Sequence, residues 1–146
     1  SQQEKSGIVP SPEGLYSINK SKFVPGTNEN GTQMWSDLSI YQKTLSTLFG
    51  QGHWGHGYGT SSWGEYRWRL NTDGVKTSRS GFFLHGGSGS WGSDGCIDCG
   101  NGINTFANAF LTNKTGNDKV YLQVVYPKDF SITVSNSSTD KLQKNN

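Results

Sequence analysis

The sequence predicts a single, mainly β domain of the α+β class, with one or two helices. Its 146 residues are enough chain for one domain with a core of ordinary size. Glycine accounts for 20 of them, about twice the average share, which is typical of a protein rich in turns and loops. Strand-like segments outnumber helical ones and do not alternate with them, so a βαβ architecture is not expected.

The first half of the chain contains one predicted strand and one predicted helix. The strand, Gly14–Asn19, follows a turn pattern of two prolines and a glycine at 10–14. The helix spans 33–49, because its apolar residues recur at intervals of three and four and Gly50 ends the pattern. The apolar face consists of Trp35, Leu38, Tyr41, Leu45, Leu48 and Phe49.

The second half supplies the remaining elements. Residues 65–70 alternate charged with aromatic or apolar side chains, which predicts a half-buried strand with Arg67 and Arg69 on its solvated face. Gly102–Thr112 carries apolar residues at i, i+3, i+4, i+7 and i+8, which predicts a helix. Three further strands are predicted, at 81–85, 120–126 and Phe130–Val134.

Composition limits the organisation and the partners of the chain. We expect one domain over 1–134 and a flexible tail over 135–146, because the tail is polar and has no periodicity. Lys and Arg total 13 against 11 Asp and Glu, and a net charge of +2 is too small to favour nucleic acid. Continuous apolar stretches are short, so membrane insertion is not expected.

Two glycine-rich windows stand out from the rest of the chain. Residues 50–64 hold six glycines and 81–102 hold eight, and the three histidines all lie in these windows. Binding and catalytic residues are commonly carried by loops on a rigid scaffold. We therefore expect function to be concentrated in these two windows.

The second window pairs a histidine with a cysteine. His85 stands where a buried strand enters a Gly/Ser loop, and Cys96 stands just before the predicted helix. A helix N-terminus and a nearby imidazole both favour a thiolate, and amides around Gly95 could stabilise an oxyanion. The pattern favours a cysteine nucleophile for acyl transfer, with His85 as its base.

Other interpretations of these residues remain open. Cys96 and His85 could be structural residues, although a Gly/Ser loop is a poor setting for a core cysteine. His53, His56, Cys96 and Cys99 form a tetrahedral zinc set by type, although the gap between the pairs is long. Cys96 and Cys99 also have the spacing of a redox pair, without its usual βαβ context. A noncatalytic module would hold glycan on its aromatic loops and zinc or a disulfide at these cysteines.

Two separated motifs resemble the L,D-transpeptidase family. The segment 85–97 reads His-Gly-Gly, a Gly/Ser loop and Ser-x-Gly-Cys-Ile, and 12–18 reads Pro-x-Gly-x-Tyr-x-Ile. The branch found among type VI secretion effectors is the most similar, since 79–87 reads Arg-x-Gly-Phe-x-x-His-Gly-Gly and 93–98 reads Ser-Asp-Gly-Cys-Ile-Asp. The resemblance covers roughly residues 8 to 126, and the segment 33–63 matches no motif.

The resemblance implies a fold, a reaction and a catalytic pair. The fold would be an L,D-transpeptidase-like β-sandwich, with Cys96 as nucleophile and His85 as base. The thiolate would attack the L,D-bond between diaminopimelate and D-alanine in a peptidoglycan stem. Water would then give carboxypeptidase activity, and an amine would give exchange or a crosslink. No cofactor or metal is implied, and the oxyanion and loop support would come from Gly86, Ser93, Asp94 and Gly95.

Two departures from the wider family affect substrate binding. Asp98 stands where those enzymes usually have Arg, and His85 and Cys96 are only eleven positions apart, which is short. The anchoring charge would therefore come from Arg79, or from Arg67 or Arg69 if they are not simply solvated. In the 50–64 window, Trp54 and Trp63 either bind substrate or pack beneath the loop.

The effector resemblance also implies partners and a location. The protein would be secreted from one bacterium and act in the periplasm of another. Its producer would need a cognate immunity protein that occludes the cleft, and the secretion spike would carry it.

Overall fold

The protein is a mixed α+β fold with two larger sheets, a separate hairpin and few helices. The computed structural model describes residues 10–24, 30–55, 59–88, 95–114, 116, 118–128, 130–134 and 140–144. The helices are α1 (Ile40–Phe49), α2 (Thr60–Trp63) and α3 (Gly102–Thr112). The strands are β1 (Gly14–Asn19), β2 (Thr32–Met34), β3 (Tyr66–Arg69), β4 (Asn71–Gly74), β5 (Phe83–His85), β6 (Ile97–Asp98), β7 (Lys119–Val124), β8 (Phe130–Val134) and β9 (Asp140–Lys144).

The first sheet is antiparallel, with the strand order β4-β1-β7. β1 is its central strand and pairs with β7 over its whole length, from Gly14 opposite Val124 to Asn19 opposite Lys119. Its pairing with β4 shifts register between Leu15 and Ser17. The side chains of Tyr16 and Ile18 in this central strand are fully buried, which fits the alternation of a sheet with one face on the core.

The second sheet has the order β2-β3-β5-β6 and carries the two glycine-rich windows at its ends. β2, β3 and β5 are antiparallel neighbours, whereas β5 and β6 run parallel. β3 continues into β4 through the single residue Leu70, so one stretch of chain passes from the second sheet to the first. This direct passage brings the sheets together around one core.

The core lies between the two sheets and α3. Trp68 and Leu84 reach it from the second sheet, and Ile103, Ala107 and Phe110 reach it from the apolar face of α3. Each large apolar side chain buried in this way stabilises the fold by about 1.5–3 kcal/mol. One face of the second sheet is therefore used for stability, which leaves its other face for the site.

Several predicted elements are confirmed. Gly14–Asn19, Gly102–Thr112 and Phe130–Val134 have the predicted limits, and the predicted strand at 65–70 is present as β3. The strands predicted at 81–85 and 120–126 are Phe83–His85 and Lys119–Val124. The mainly β prediction agrees with the observed mixed fold at the level of its class.

The predicted helix at 33–49 begins seven residues too early. Its C-terminal part is α1, but Thr32–Met34 is a strand paired with β3, and a 3-10 turn follows at Trp35–Asp37. The helix starts after Ser39, whose hydroxyl accepts a hydrogen bond from the Gln42 amide (3.2 Å) as an N-cap. Sheet pairing of β2 thus overrides an apolar spacing that also fits a helix.

The predicted flexible tail at 135–146 contains a strand. β9 pairs with β8 from Val134 opposite Asp140 to Phe130 opposite Lys144. Its sequence is polar and carries little strand propensity, so the pairing with β8 is what makes it a strand. No helix among the described residues is long and apolar enough to cross a membrane.

Candidate functional site

The parallel pair β5–β6 brings His85 and Cys96 to the same face of the second sheet. Arg67 of β3 is level with His85, and His85 is level with Asp98 of β6. Cys96 precedes Asp98 by two residues, and alternate residues of an extended chain face the same side. The face opposite the core therefore presents Arg67, His85 and Cys96 together, between the sheet and the 50–64 segment.

His85 is buried, with 5% of its surface exposed, and its ring is held from two sides. Nδ1 lies 2.8 Å from the carbonyl oxygen of Gly86, and the Trp63 ring packs against the imidazole with centroids 4.8 Å apart. A carbonyl oxygen only accepts hydrogen bonds, so Nδ1 carries the proton and Nε2 is the basic nitrogen. A backbone carbonyl therefore orients the imidazole, an arrangement that sequence patterns do not reveal.

Cys96 is half-buried and its sulfur accepts a backbone hydrogen bond. The amide of Phe83, at the start of the neighbouring strand, donates to Sγ over 3.4 Å. An N–H aimed at sulfur favours the thiolate over the thiol. The strand β5, which carries His85, thus also supplies a hydrogen-bond donor to the Cys96 sulfur.

Gly95 fixes the approach to Cys96. Its φ is +97°, and a Cβ there would lie 2.5 Å from the Phe82 ring and 2.6 Å from the Arg79 guanidinium. Glycine alone fits both the backbone conformation and the space. Its carbonyl accepts a 2.6 Å hydrogen bond from the Ser11 hydroxyl, which ties the N-terminal segment to the base of the site.

Arg67 is buried in the site, and the prediction that it faces solvent is wrong. Only 8% of its surface is exposed, because Trp54, Trp63 and the His53 backbone lie against it. Its Nε donates to Gln33 Oε1 (2.8 Å) and its Nη2 donates to the His53 carbonyl. Burial lowers the pKa of Arg67 to about 10, although the Cys96 thiolate acts in the opposite direction and raises it.

Three aromatic rings surround the Arg67 guanidinium. Its central carbon lies 4.2 Å from the Trp54 ring centroid, 4.9 Å from that of Trp63 and 5.1 Å from that of Phe83. Cation–π contact of this kind stabilises a desolvated guanidinium. Strand alternation alone gives no sign of this burial, because two of the three rings, Trp54 and Trp63, come from a segment without periodicity.

The 50–64 segment docks against the His-Gly-Gly turn. The Gly86 amide donates to the Trp63 carbonyl (3.1 Å), and the Ser88 amide donates to the Ser61 carbonyl (2.9 Å). A Cβ on Gly86 would lie 2.2 Å from Cγ2 of Ile103, so this turn also packs tightly on α3. Since its amide is already bonded, Gly86 supports the loop rather than an oxyanion.

The two tryptophans proposed for substrate binding occupy different environments. Trp54 is 1% exposed, and its Nε1 donates to the Gly64 carbonyl (3.3 Å), so the ring packs beneath the segment. Trp63 is half-buried, donates to the Gly55 carbonyl (2.5 Å) and borders His85. Of the two, only Trp63 offers a surface to a molecule in the site.

Arg79 lies beneath the site and Arg69 beside it on β3. The Arg79 guanidinium donates to the Pro10 carbonyl (2.9 Å) and lies over the Phe82 ring, 4.9 Å from its centroid. Both arginines are half-buried, in contrast to Arg67. A role for either in binding substrate carboxylates stays a prediction.

A polar cavity of about 400 Å³ lies on the far side of the His-Gly-Gly turn. Gly64, Gly87 and Gly100 line it, as do Trp35 and Glu65. The remaining lining residues are mainly small and polar: Thr47, Gly59, Thr60, Ser61, Ser88, Asn101, Ile103 and Asn104. The cavity is therefore mainly polar, with Glu65 as the one charged residue of its lining, and it borders the turn at Gly87 and Ser88.

Cys99 differs from Cys96 in its surroundings. Both are free thiols, but Cys99 is exposed and its amide donates to the His85 carbonyl (2.8 Å). Partial burial and the adjacent Asp98 carboxylate raise the pKa of the Cys99 thiol, which disfavours a reactive thiolate. In the part of the chain that the structure describes, no three His, Cys, Asp or Glu side chains cluster to hold a metal. His56, Ser93 and Asp94 lie outside the described residues.

Comparisons with protein-family models, with curated proteins and with solved structures found no match to the chain. Its function has to be inferred from the residues of this site and their geometry.

Proposed function

We propose that the protein is a cysteine enzyme of the L,D-transpeptidase type, which cleaves or exchanges the L,D-bond of peptidoglycan stem peptides. The observation that carries the chemistry is the arrangement of its Cys–His pair. Cys96 and His85 share one face of a parallel strand pair, His85 keeps Nε2 as a base, and the Phe83 amide donates to the sulfur. These are the requirements of an activated thiol nucleophile.

The reaction follows from the protonation states of the pair. Nε2 of His85 accepts the Cys96 proton, and the thiolate forms a bond to the carbonyl carbon of the peptide. The tetrahedral intermediate collapses, the C–N bond breaks, and the imidazolium returns its proton to the departing amine. A thioester on Cys96 remains. Water or a second amine, deprotonated by His85, then releases the acyl group and restores the thiol.

The substrate class is inferred from the two motifs together with the charge of the cleft. The motifs at 79–87 and 93–98 resemble those of enzymes that act between diaminopimelate and D-alanine. A stem peptide carries carboxylates, and the half-buried Arg69 on β3 and Arg79 before β5 are the arginines that could meet them. The L,D-transpeptidase-like sandwich belongs to this proposal, for which the two sheets and the parallel β5–β6 pair provide a compatible frame.

The biological role follows from the effector-like form of the motifs. We propose that the protein is secreted as an antibacterial type VI effector and acts in the periplasm of the target cell. A cognate immunity protein would protect the producer by covering the cleft between β5–β6 and the 50–64 segment. Components of the secretion spike would be its other partners.

Mass analysis of muropeptides tests the proposed reaction. Purified muropeptides with tetrapeptide stems should lose D-alanine, or exchange it for an added D-amino acid, on incubation with the protein. Cys96→Ala should abolish the product, whereas the matched control Cys99→Ala should retain most activity, because its thiol has no role in the reaction. Equal loss in both folded variants, or no product from the unchanged chain, would contradict the proposal.

A further inference from the structure

Arg67 carries a buried charge without an anionic partner among the described side chains. Its hydrogen bonds go to an amide oxygen of Gln33 and a backbone carbonyl of His53, and its other neighbours are aromatic rings. The ion pair between Lys22 and Asp37, at 3.5 Å, lies elsewhere. Desolvated charges in proteins are normally paired with an opposite charge. We therefore expect this guanidinium to have an anionic partner that becomes ionised when the protein is active.

The Cys96 thiolate fits that need. The electrostatic interaction with Cys96 raises the pKa of Arg67, and such a coupling acts in both directions. Phe83 joins the two groups physically, because its amide donates to Sγ (3.4 Å) while its ring lies 5.1 Å from the guanidinium carbon. A cation at this position lowers the pKa of the Cys96 thiol, by the same interaction through which the thiolate raises the pKa of the cation.

We propose that Arg67 is the built-in counter-ion of the Cys96 thiolate, a positioning residue that keeps the nucleophile ionised near neutral pH. The proposal rests on the proposed function only in taking Cys96 as the nucleophile. It is independent of which acyl substrate the thiolate attacks.

Other charged groups lie on the elements packed around Cys96. Asp98 follows it on the same strand, and its carboxylate opposes thiolate formation. His85 on β5 favours the thiolate once it is protonated. Arg67 alone among the nearby arginines is buried, where Coulomb interactions are stronger and less screened. The groups to consider are Arg67 and Arg69 on β3, His85 on β5, Asp98 and Cys99 at β6, Arg79 before β5 and His53 in the 50–64 segment.

Arginine suits this position better than lysine. With its pKa near 10, Arg67 stays protonated at neutral pH despite its burial. Its planar group donates to Gln33 and His53 while its faces stay against Trp54 and Trp63. An ammonium with the same desolvation would lose much of its charge near pH 8, because its pKa starts about two units lower.

The pH dependence of alkylation at Cys96 tests the proposal without any substrate. Iodoacetamide labelling is measured by mass spectrometry in a Cys99→Ala background, so that one thiol is followed. Arg67→Gln should raise the apparent pKa of Cys96 by about one unit and slow labelling at pH 7 about tenfold. Arg67→Lys should lie between Arg67→Gln and the parent. Lys119→Gln, which removes the same charge from an exposed strand of the other sheet, should change nothing.

An unchanged profile in folded Arg67→Gln, or an equal shift in Lys119→Gln, would overturn the proposal. If Arg67→Gln does not fold, the pKa of Cys96 is measured in His85→Ala instead. With the imidazole absent and Arg67 in place, the Cys96 pKa should stay below the unfolded value of about 8.5. A value at or above that figure would overturn the proposal as well.

Thermal stability provides an independent measurement. A cysteine whose folded pKa is depressed stabilises the protein above its unfolded pKa, and this contribution is lost as pH falls through the folded pKa. The melting temperature of the parent chain relative to Cys96→Ala should therefore rise between about pH 6 and about pH 9. A flat or falling difference would contradict the ion pair. The two proposals can fail separately. If Arg67→Gln shifts the pKa of Cys96 but the parent protein forms no muropeptide product, the proposed substrate is refuted and the Arg67–Cys96 ion pair is retained.

Discussion

Single residues in this site are constrained more by backbone contacts than by other side chains. His85 is oriented by the Gly86 carbonyl, and the Cys96 sulfur receives the Phe83 amide. Gly86 and Gly95 leave no room for a side chain. The proposed chemistry of the pair would therefore depend on main-chain positions held to within about 0.5 Å.

Gly86 gives a prediction about packing at the residue scale. Gly86→Ala should destabilise the fold by about 1–3 kcal/mol, because its Cβ would overlap Ile103 and the Gly100 carbonyl, and the shift would displace His85. Gly102→Ala is the matched control, since its Cβ meets nothing within 4 Å. Urea unfolding of both variants provides the measurement. Equal stability of the two would mean that the turn yields without strain.

At the scale of elements, the second sheet uses its two faces differently. Trp68 and Leu84 bury the inner face against α3, whereas the outer face carries Arg67 and His85 under the 50–64 segment. The segment acts as a cover that desolvates the site rather than as a part of the core sheet. Its two tryptophans differ in burial: Trp54 is fully buried, whereas Trp63 lies at the edge of the site against His85.

Substitution of these tryptophans separates packing from binding. Trp54→Ala should cost about 3–5 kcal/mol of folding stability, because it empties a fully buried position beside Arg67. Trp63→Ala should cost less stability but raise the KM for muropeptides up to about tenfold, the effect of one lost aromatic contact. Urea unfolding and steady-state kinetics are the measurements. Similar stability losses with unchanged KM would assign both rings to the core.

The elements differ in how far the sequence predicts them. β1 and α3 follow directly from turn residues and apolar spacing, because each buries one regular face. β6 has two residues and β2 has three, which is too short for any periodicity to show. β6 and β2 are strands because they pair with β5 and β3, as β9 is a strand because it pairs with β8.

The candidate site divides in the same way. His85 and Cys96 can be picked out by their residue types and glycine-rich setting, and the structure brings them to one face. The burial of Arg67 cannot be predicted from β3, because an arginine that alternates with aromatic residues looks solvent-facing until a second layer covers it. That layer comes from the 50–64 segment, whose dense glycines leave no pattern to read.

At the scale of the whole molecule, the net charge is low, and the polar cavity near the site has Glu65 as the one charged residue of its lining. The net charge is +2, and the cavity is lined mainly by small polar residues. Association with the substrate would then rely on local contacts rather than on long-range attraction. The location of the polymer consequently decides where the protein is active.

Directed expression in a sensitive Gram-negative host tests the biological proposal. A chain carrying a periplasmic export signal should lower viability, because peptidoglycan is exposed to it there, whereas cytoplasmic expression should be tolerated. Viable counts and muropeptide profiles are the measurements, with exported Cys96→Ala as the harmless control. Toxicity confined to the cytoplasm, or equal toxicity of exported Cys96→Ala, would refute the proposal.

Because β5 pairs directly with β6, the relative position of these two strands does not depend on the length of the loop that joins them. His85 lies in the ladder, and Cys96 directly precedes Ile97, which is level with Leu84. The entropy of closing a loop grows slowly, by about 0.6 kcal/mol for each doubling of its length. The connection between the two residues can thus lengthen or shorten during evolution while the pair stays in register. Under the proposed function, the short spacing of this chain and the longer spacings of the enzymes it resembles would be compatible with the same register of β5 and β6.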